Sequence, residues 1–303
     1  MKHFFFIFFL LSSTITLYAQ EQEEEISLEK ALSANTIRAS FKGNSKSLHY
    51  TKPLEGTISN KSNKKIKLLI EAGSFFKNDT QQDILTTMPL LIQLQIGETK
   101  KVELSGISTQ SNLPPPSDGS VYLFHKTPKE EYTTYAQFIA QEKLYHTAEA
   151  QYGLWVISEK QDIKKLMQRS LRKNIALQIR DFLVQMLRIT ENLDDTPQES
   201  NHKVLIDSNL VSTYTLPAES IAPECEVKGG GNFSVQSPKE VRLVMFDMKG
   251  VLVRELYYNP KEKIGTRKLR YGYNCEYYKD EAYILSLVFD GKIHVSTTLT
   301  RKR

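Results

Sequence analysis

Cysteine is scarce, with only Cys225 and Cys275 in 303 residues. No CxxC pair occurs, and neither cysteine carries the flanking signature of a thiol hydrolase. The histidines His3, His49, His125, His146, His202 and His294 are scattered, and none falls in the HExxH spacing of zinc hydrolases. No serine sits in a Gly-x-Ser-x-Gly elbow. The only glycine run, Gly229-Gly230-Gly231, lacks the lysine-serine ending and following helix that phosphate cradling needs, and reads as a flexible hinge. Adjacent acids at Glu130-Glu131 and Asp194-Asp195 lie in polar segments, whereas glycosidase carboxylates converge from separate parts of a cleft. These absences leave no metal, nucleophile or phosphate motif, and the chain reads as non-catalytic without a cofactor.

Long apolar runs are missing too. The one run near the start, Phe4 to Leu11, is shorter than the roughly 20 residues needed to span a bilayer. Lys2 and His3 precede it, and Tyr18-Ala19-Gln20 follows a short polar stretch, which is the layout of a secretory signal peptide over 1–19. Cleavage after Ala19 is expected; an uncleaved N-terminal anchor is the rival reading. The chain is then exported to the periplasm, cell surface or exterior, with no transmembrane segment once the signal is removed. In such an oxidising compartment Cys225 and Cys275 are a candidate disulfide, two buried thiols being the alternative. The bridge would close a loop of roughly 50 residues, which chain entropy values at about 4 kcal/mol. The net charge of +5 is mild and spread along the chain, so nucleic acid is not an expected partner.

What is present is a change of periodicity. Glu21 to Glu25, interrupted only by Gln22, open an acidic leader over 20–33 that reads as a solvated tether. From Thr36, Ile37, Ala39 and Phe41 alternate with Arg38 and Ser40, as in a strand. Residues 56–60 lead through Lys61-Ser62-Asn63-Lys64 into 66–70, and 90–94 with 101–104 read as a further strand pair around Gly97. Pro114-Pro115-Pro116 then form a stiff, exposed loop. From Tyr132 the spacing turns helical. Tyr135, Phe138, Ile139 and Leu144 share a face, 148–157 form a second helix, and 162–189 form one helix or two broken near Asn174. Residues 191–227 read as a polar linker, and 228–303 as a second β-rich unit with turns at Asp247 to Gly250 and at Asp290-Gly291. The expected fold is mainly β: two β-sandwiches, 34–110 and 228–303, flanking a proline loop and helical extension over 111–190.

Two resemblances carry this further. "LEGTISNKSNKKIKLLIEAG" (54–73) and "IGETKKVEL" (96–104) resemble the strands and turns of bacterial immunoglobulin-like modules, over residues 34–110. "VRLVMFDMKGVLVREL" and "EAYILSLVFDGKIHVSTTLTRKR" resemble the C-terminal sorting domain of type IX secretion cargo in the Bacteroidetes, and the immunoglobulin-like domain of flagellar hook-capping proteins. Asp247, Gly250, Leu252, Val253 and Leu256 match the first motif of that group, and Arg301, Lys302 and Arg303 its basic end. Ala282 precedes Tyr283 where the family has Gly-x-Tyr. The resemblance implies an immunoglobulin-like tail, separable from the rest, that serves either as a sorting signal or as a structural domain only.

Candidate binding residues are Tyr145, Tyr152 and Trp155, which read either as a ligand pocket or as core. Lys164, Lys165, Arg169, Arg172, Lys173 and Arg180 read as a solvated face rather than a contact for an anionic surface. Tyr271, Tyr273, Tyr277, Tyr278 and Tyr283 are expected to fill sheet faces. The expected function is an envelope protein that binds another protein or a surface glycan. The alternatives are a secreted hydrolase, which needs a cleft gathering some of His125, His146, Glu149 and Asp162, and an accessory subunit of an export or gliding apparatus.

Overall fold

The computed structural model describes residues 24–189, 213–215, 226–274 and 280–302. The signal peptide, most of the linker, Cys225, Cys275, Tyr277, Tyr278 and Arg303 lie outside them. The chain is mainly β with a helical segment, and no described helix is long and apolar enough to cross a membrane.

The first region begins earlier than the sequence suggests. β1 (Glu24–Ser27) pairs in parallel with β4 (Ile66–Ile70), and α1 (Leu28–Ser33) buries Leu28 and Ala31. The expected solvated tether is therefore part of the fold from Glu24 onward. Its charges mask an amphipathic Ile26-Ser27-Leu28 start, where the Ser27 hydroxyl caps the helix by accepting from Lys30 N–H.

The remaining strands are β2 (Ile37–Gly43), β3 (Leu54–Asn60), β5 (Phe75–Lys77), β6 (Ile84–Thr86), β7 (Leu90–Leu94), β8 (Thr99–Leu104), β9 (Gly106–Ser108) and β10 (Val121–His125). They form a three-stranded sheet in the order β1-β4-β7 and a seven-stranded sheet in the order β8-β3-β2-β10-β5-β6-β9. Leu54, Ile58, Leu68, Phe76, Ile92 and Tyr122 meet between the sheets, each fully buried core side chain contributing about 1.5–3 kcal/mol. The expected strand pair 90–94 and 101–104 does not pair. β7 bonds to β4 and β8 bonds to β3, so their turn crosses between sheets. Alternation reports which face is buried, and two strands on facing sheets alternate as well as two neighbours do. Asn60 holds the other crossing. Its amide donates to the carbonyls of Lys64 and Gln95, while its Oδ1 accepts from Ser62 N–H. The sheet also extends past the proline loop, since β10 threads between β2 and β5.

Four helices follow: α2 (Glu130–Gln141), α3 (Ala148–Glu159), α4 (Lys164–Arg169) and α5 (Lys173–Leu187). The break in 162–189 falls at 170–172, just ahead of Asn174. Every residue of α3 from Ala148 to Ile157 is buried, because this helix is walled by helices and by strands of both β regions. Gly153 permits that closeness: a β-carbon there would lie 2.1 Å from the Tyr135 hydroxyl and 2.8 Å from Ile179 Cγ2.

The tail comprises β11 (Thr213–Thr215), β12 (Glu226–Val235), β13 (Lys239–Phe246), β14 (Leu252–Glu262), β15 (Gly265–Asn274), β16 (Ala282–Phe289) and β17 (Lys292–Lys302). A five-stranded sheet, β11-β17-β16-β13-β14, faces the ribbon β12-β15 across Leu243, Met245, Leu269, Tyr271, Tyr283 and Leu285. Asp247 Oδ1 accepts from Lys249 and Val251 N–H in the β13–β14 turn. Asp290 and Gly291, both at positive φ, close the β16–β17 hairpin. The glycine run is not a hinge: Gly229, Gly230 and Gly231 are ladder positions opposite Tyr271, Arg270 and Leu269.

Candidate functional site

The three regions meet along one seam. Leu48, Tyr50, Phe75 and Ile107 from the first sandwich, Trp155 and Leu154 from α3, and Val244, Phe246, Leu252 and Val288 from the tail belong to one continuous apolar cluster. The loop between β2 and β3 also adds main-chain bonds to the tail: Leu48 N–H donates to Gly291 O, and Ile293 N–H donates to Lys46 O. The tail is thus built into the body of the molecule.

Within the seam lies a buried charge network. Glu255 on β14 is 1 % exposed and accepts from all three regions: Tyr50 Oη at 2.8 Å, Arg172 Nη2 at 2.7 Å and Arg242 Nη1 at 2.8 Å. Arg172 also binds Glu149, which is fully buried and accepts in addition from Ser170 Oγ at 2.8 Å. Arg242, 2 % exposed, makes a two-pronged bond to Glu240 at 2.7 and 2.9 Å and donates to His146 O. The Tyr258 ring is shared by both guanidinium groups, 4.5 Å from Arg172 Cζ and 4.9 Å from Arg242 Cζ. Burial opposes charge on Arg172, yet Glu255 and Glu149 outweigh it and raise its pKa. Burial, with the Glu255 charge beside it, pushes the Tyr50 hydroxyl well above its ordinary value, so it stays a neutral donor.

Beside the network opens a cavity of about 400 Å³. The β2–β3 loop supplies Asn44, Lys46, Ser47, Thr51 and Lys52, the neighbouring strands supply Glu55 and Glu103, and the tail supplies Glu240, Arg242, Asp290 and Lys292. His146 lines it with a left-handed backbone, φ 63°, a conformation costing a non-glycine residue about 1–2 kcal/mol. Its Nε2 lies 2.8 Å from Ser105 Oγ, and burial lowers its pKa to about 4, leaving it neutral at pH 7. A second cleft, about 540 Å³, runs between Pro114 to Pro116 and the outer face of β16 and β17, with Leu48 and His49 at its floor.

The aromatic trio named from the sequence lines neither opening. Trp155 and Tyr152 are core residues of the seam, Tyr152 donating to Val253 O at 2.9 Å, and Tyr145 packs half-buried against the same cluster. Of the four residues a hydrolase would gather, only His146 borders the cavity. Glu149 is sealed behind Arg172, Asp162 is exposed and caps the turn leading into α4, and His125 is exposed on β10. The expected solvated basic face is also partly undone. Arg172 is inside the network, Lys173 donates to Met167 O, and Arg169 lies over the Tyr152 ring. Among the described residues no three His, Cys, Asp or Glu side chains converge in a metal-binding group.

Glu255, Arg242, Glu240 and Tyr50 escaped sequence reasoning. One signal was available: in Val-Arg-Leu-Val-Met-Phe both strand faces are apolar, so Arg242 had to be buried, and a buried arginine needs a carboxylate. No family model matches the chain, and no curated protein is significantly similar to it.

Proposed function

We propose that this chain is an exported, non-catalytic protein of a bacterial envelope that binds another protein or a surface glycan through its assembled β regions. The observation that carries the reading is the commitment of the buried ionisable groups. Glu149, Glu255, Arg172 and Arg242 are satisfied by one another, and they join three regions into one body that presents a fixed polar cavity. The signal-like start supports export, and the sorting-domain resemblance of the tail supports type IX cargo as its route. N-terminal sequencing of protein from fractionated native cells tests this. The expected result is a chain beginning at or near Gln20 in a periplasmic or surface fraction; intact Met1 in the cytoplasm overturns it.

A hydrolase is the second reading, favoured by the Ser105–His146 pair alone. Against it, Ser105 is 7 % exposed, and among the described hydrogen bonds no carboxylate orients the imidazole. Labelling by a fluorophosphonate probe, lost in Ser105→Ala, would establish it; no labelling is expected.

A further inference from the structure

The cavity at the seam has a charge pattern that selects its ligand. Four cationic side chains face four carboxylates there, but they are not equally spent. Lys52 binds Glu103 at 2.7 Å, Arg242 binds Glu240, and Glu55 pairs with Lys42 from outside the cavity. Asp290 accepts from Glu240 N–H. Lys46 and Lys292 make no ion pair among the described residues; Lys46 only feels Asp118 at longer range. The Ser47–Lys292 bridge holds the β2–β3 loop against the tail, and Lys46 and Lys292 both line the cavity there. Two exposed ammonium groups that line one cavity without an ion pair of their own leave positive charge at its mouth for an anion to meet.

The rest of the lining says what carries the anion. Ser47 and Thr51 hydroxyls, the Asn44 amide and the carboxylates of Glu55 and Glu103 offer donors and acceptors, with no apolar wall or aromatic ring besides the His146 imidazole. The aliphatic stems of an acidic peptide's side chains would find no apolar residue in this lining to pack against. A polyhydroxylated ligand suits a lining of such donors and acceptors, and about 400 Å³ lies within the roughly 300–1,000 Å³ of small-molecule sites.

We infer that the seam cavity binds an acidic saccharide, its carboxylate held by Lys46 and Lys292 and its hydroxyls by the polar wall. This names the ligand of the binding reading above and rests on it.

The test is calorimetric titration of the mature chain at low salt with trigalacturonate, with a neutral trisaccharide of equal length and with triglutamate. Trigalacturonate should bind, and the neutral sugar should bind about tenfold more weakly, the worth of two exposed charge contacts. Lys46→Ala/Lys292→Ala should weaken trigalacturonate binding about tenfold. Both lysines are exposed, so its unfolding midpoint should stay unchanged and a folding defect would be visible. No binding of any probe, tighter binding of triglutamate, or an unaffected double variant each overturns the inference. Export is read independently by fractionation, so an exported protein that ignores all three probes loses this site and keeps the wider reading.

Discussion

Inside the first sandwich, Leu54, Ile58, Leu68 and Phe76 face one another across two sheets as apolar side chains. At the seam, Glu149, Glu255 and Arg242 are just as deeply buried, among Tyr50, Trp155 and Val244. The first kind of core is tolerant, because apolar surfaces can slide and repack at modest cost. The second kind accepts one arrangement only, since displacing any region strands a charge out of water. The contrast explains how the regions hold one relative orientation: the two β regions have cores of their own, the helices share the apolar cluster of the seam, and the shared charges set how the regions dock.

Breaking the seam whole should have the largest effect. Deleting residues 226–303 uncovers Leu48, Tyr50 and the tail-facing side of α3, and removes Glu255 and Tyr258 from Arg172. The truncated chain should lose cooperative unfolding and bind a hydrophobic dye; a soluble chain with an intact transition would show the tail to be separable. Glu255→Ala comes next, leaving two buried guanidinium groups and the Tyr50 hydroxyl short of an acceptor, at about 3–5 kcal/mol in denaturant titrations. Replacing Glu149, Arg172, Arg242 and Glu255 together by apolar residues of similar size should restore most of that loss. If it does not, the network contributes stability beyond its geometry. Leu68→Ala in the first sandwich should cost about 2–5 kcal/mol by leaving a cavity, without altering the seam.

Acid should separate the two kinds of core. Burial lowers His49 to about 3 and His146 to about 4, from an ordinary value of 6.5. Between these values the unfolded chain binds protons that the folded chain refuses. The stability present above pH 6.5 is therefore lost as pH falls toward 3, at up to about 1.4 kcal/mol per pH unit for each histidine. His49→Gln should flatten this limb; an unchanged slope would remove His49 from the account. The smallest effect belongs to Lys52→Ala at the cavity wall, under about 1 kcal/mol and fading with salt.

Much of this was legible from local pattern. The alternation at Val241, Leu243 and Met245, the Asp-x-x-Gly and Asp-Gly turns, and the helical spacing of Tyr135, Phe138 and Ile139 all follow from which groups each short segment must bury or bond. The candidate site was far less so. Tyr152 and Trp155 left pocket and core both open, because helical spacing says that a face is covered, not by what. Glu149 and Arg172 sat in sight as an acid and one of six basic positions, with nothing nearby in the chain to say they meet.

By itself, the sequence determined the β-rich class, the helical interlude, the turns and the positions of most strands, since these depend on contacts a few residues apart. Only the tertiary structure decided that β7 and β8 belong to opposite sheets, that the glycine run is a ladder, and that Tyr50, Arg172, Arg242 and Glu255 share one site. Tyr50 and Glu255 stand 205 residues apart and are joined at 2.8 Å. That pairing exists because burying either polar group alone costs more than the chain can recover elsewhere, and only the folded whole brings in the partner.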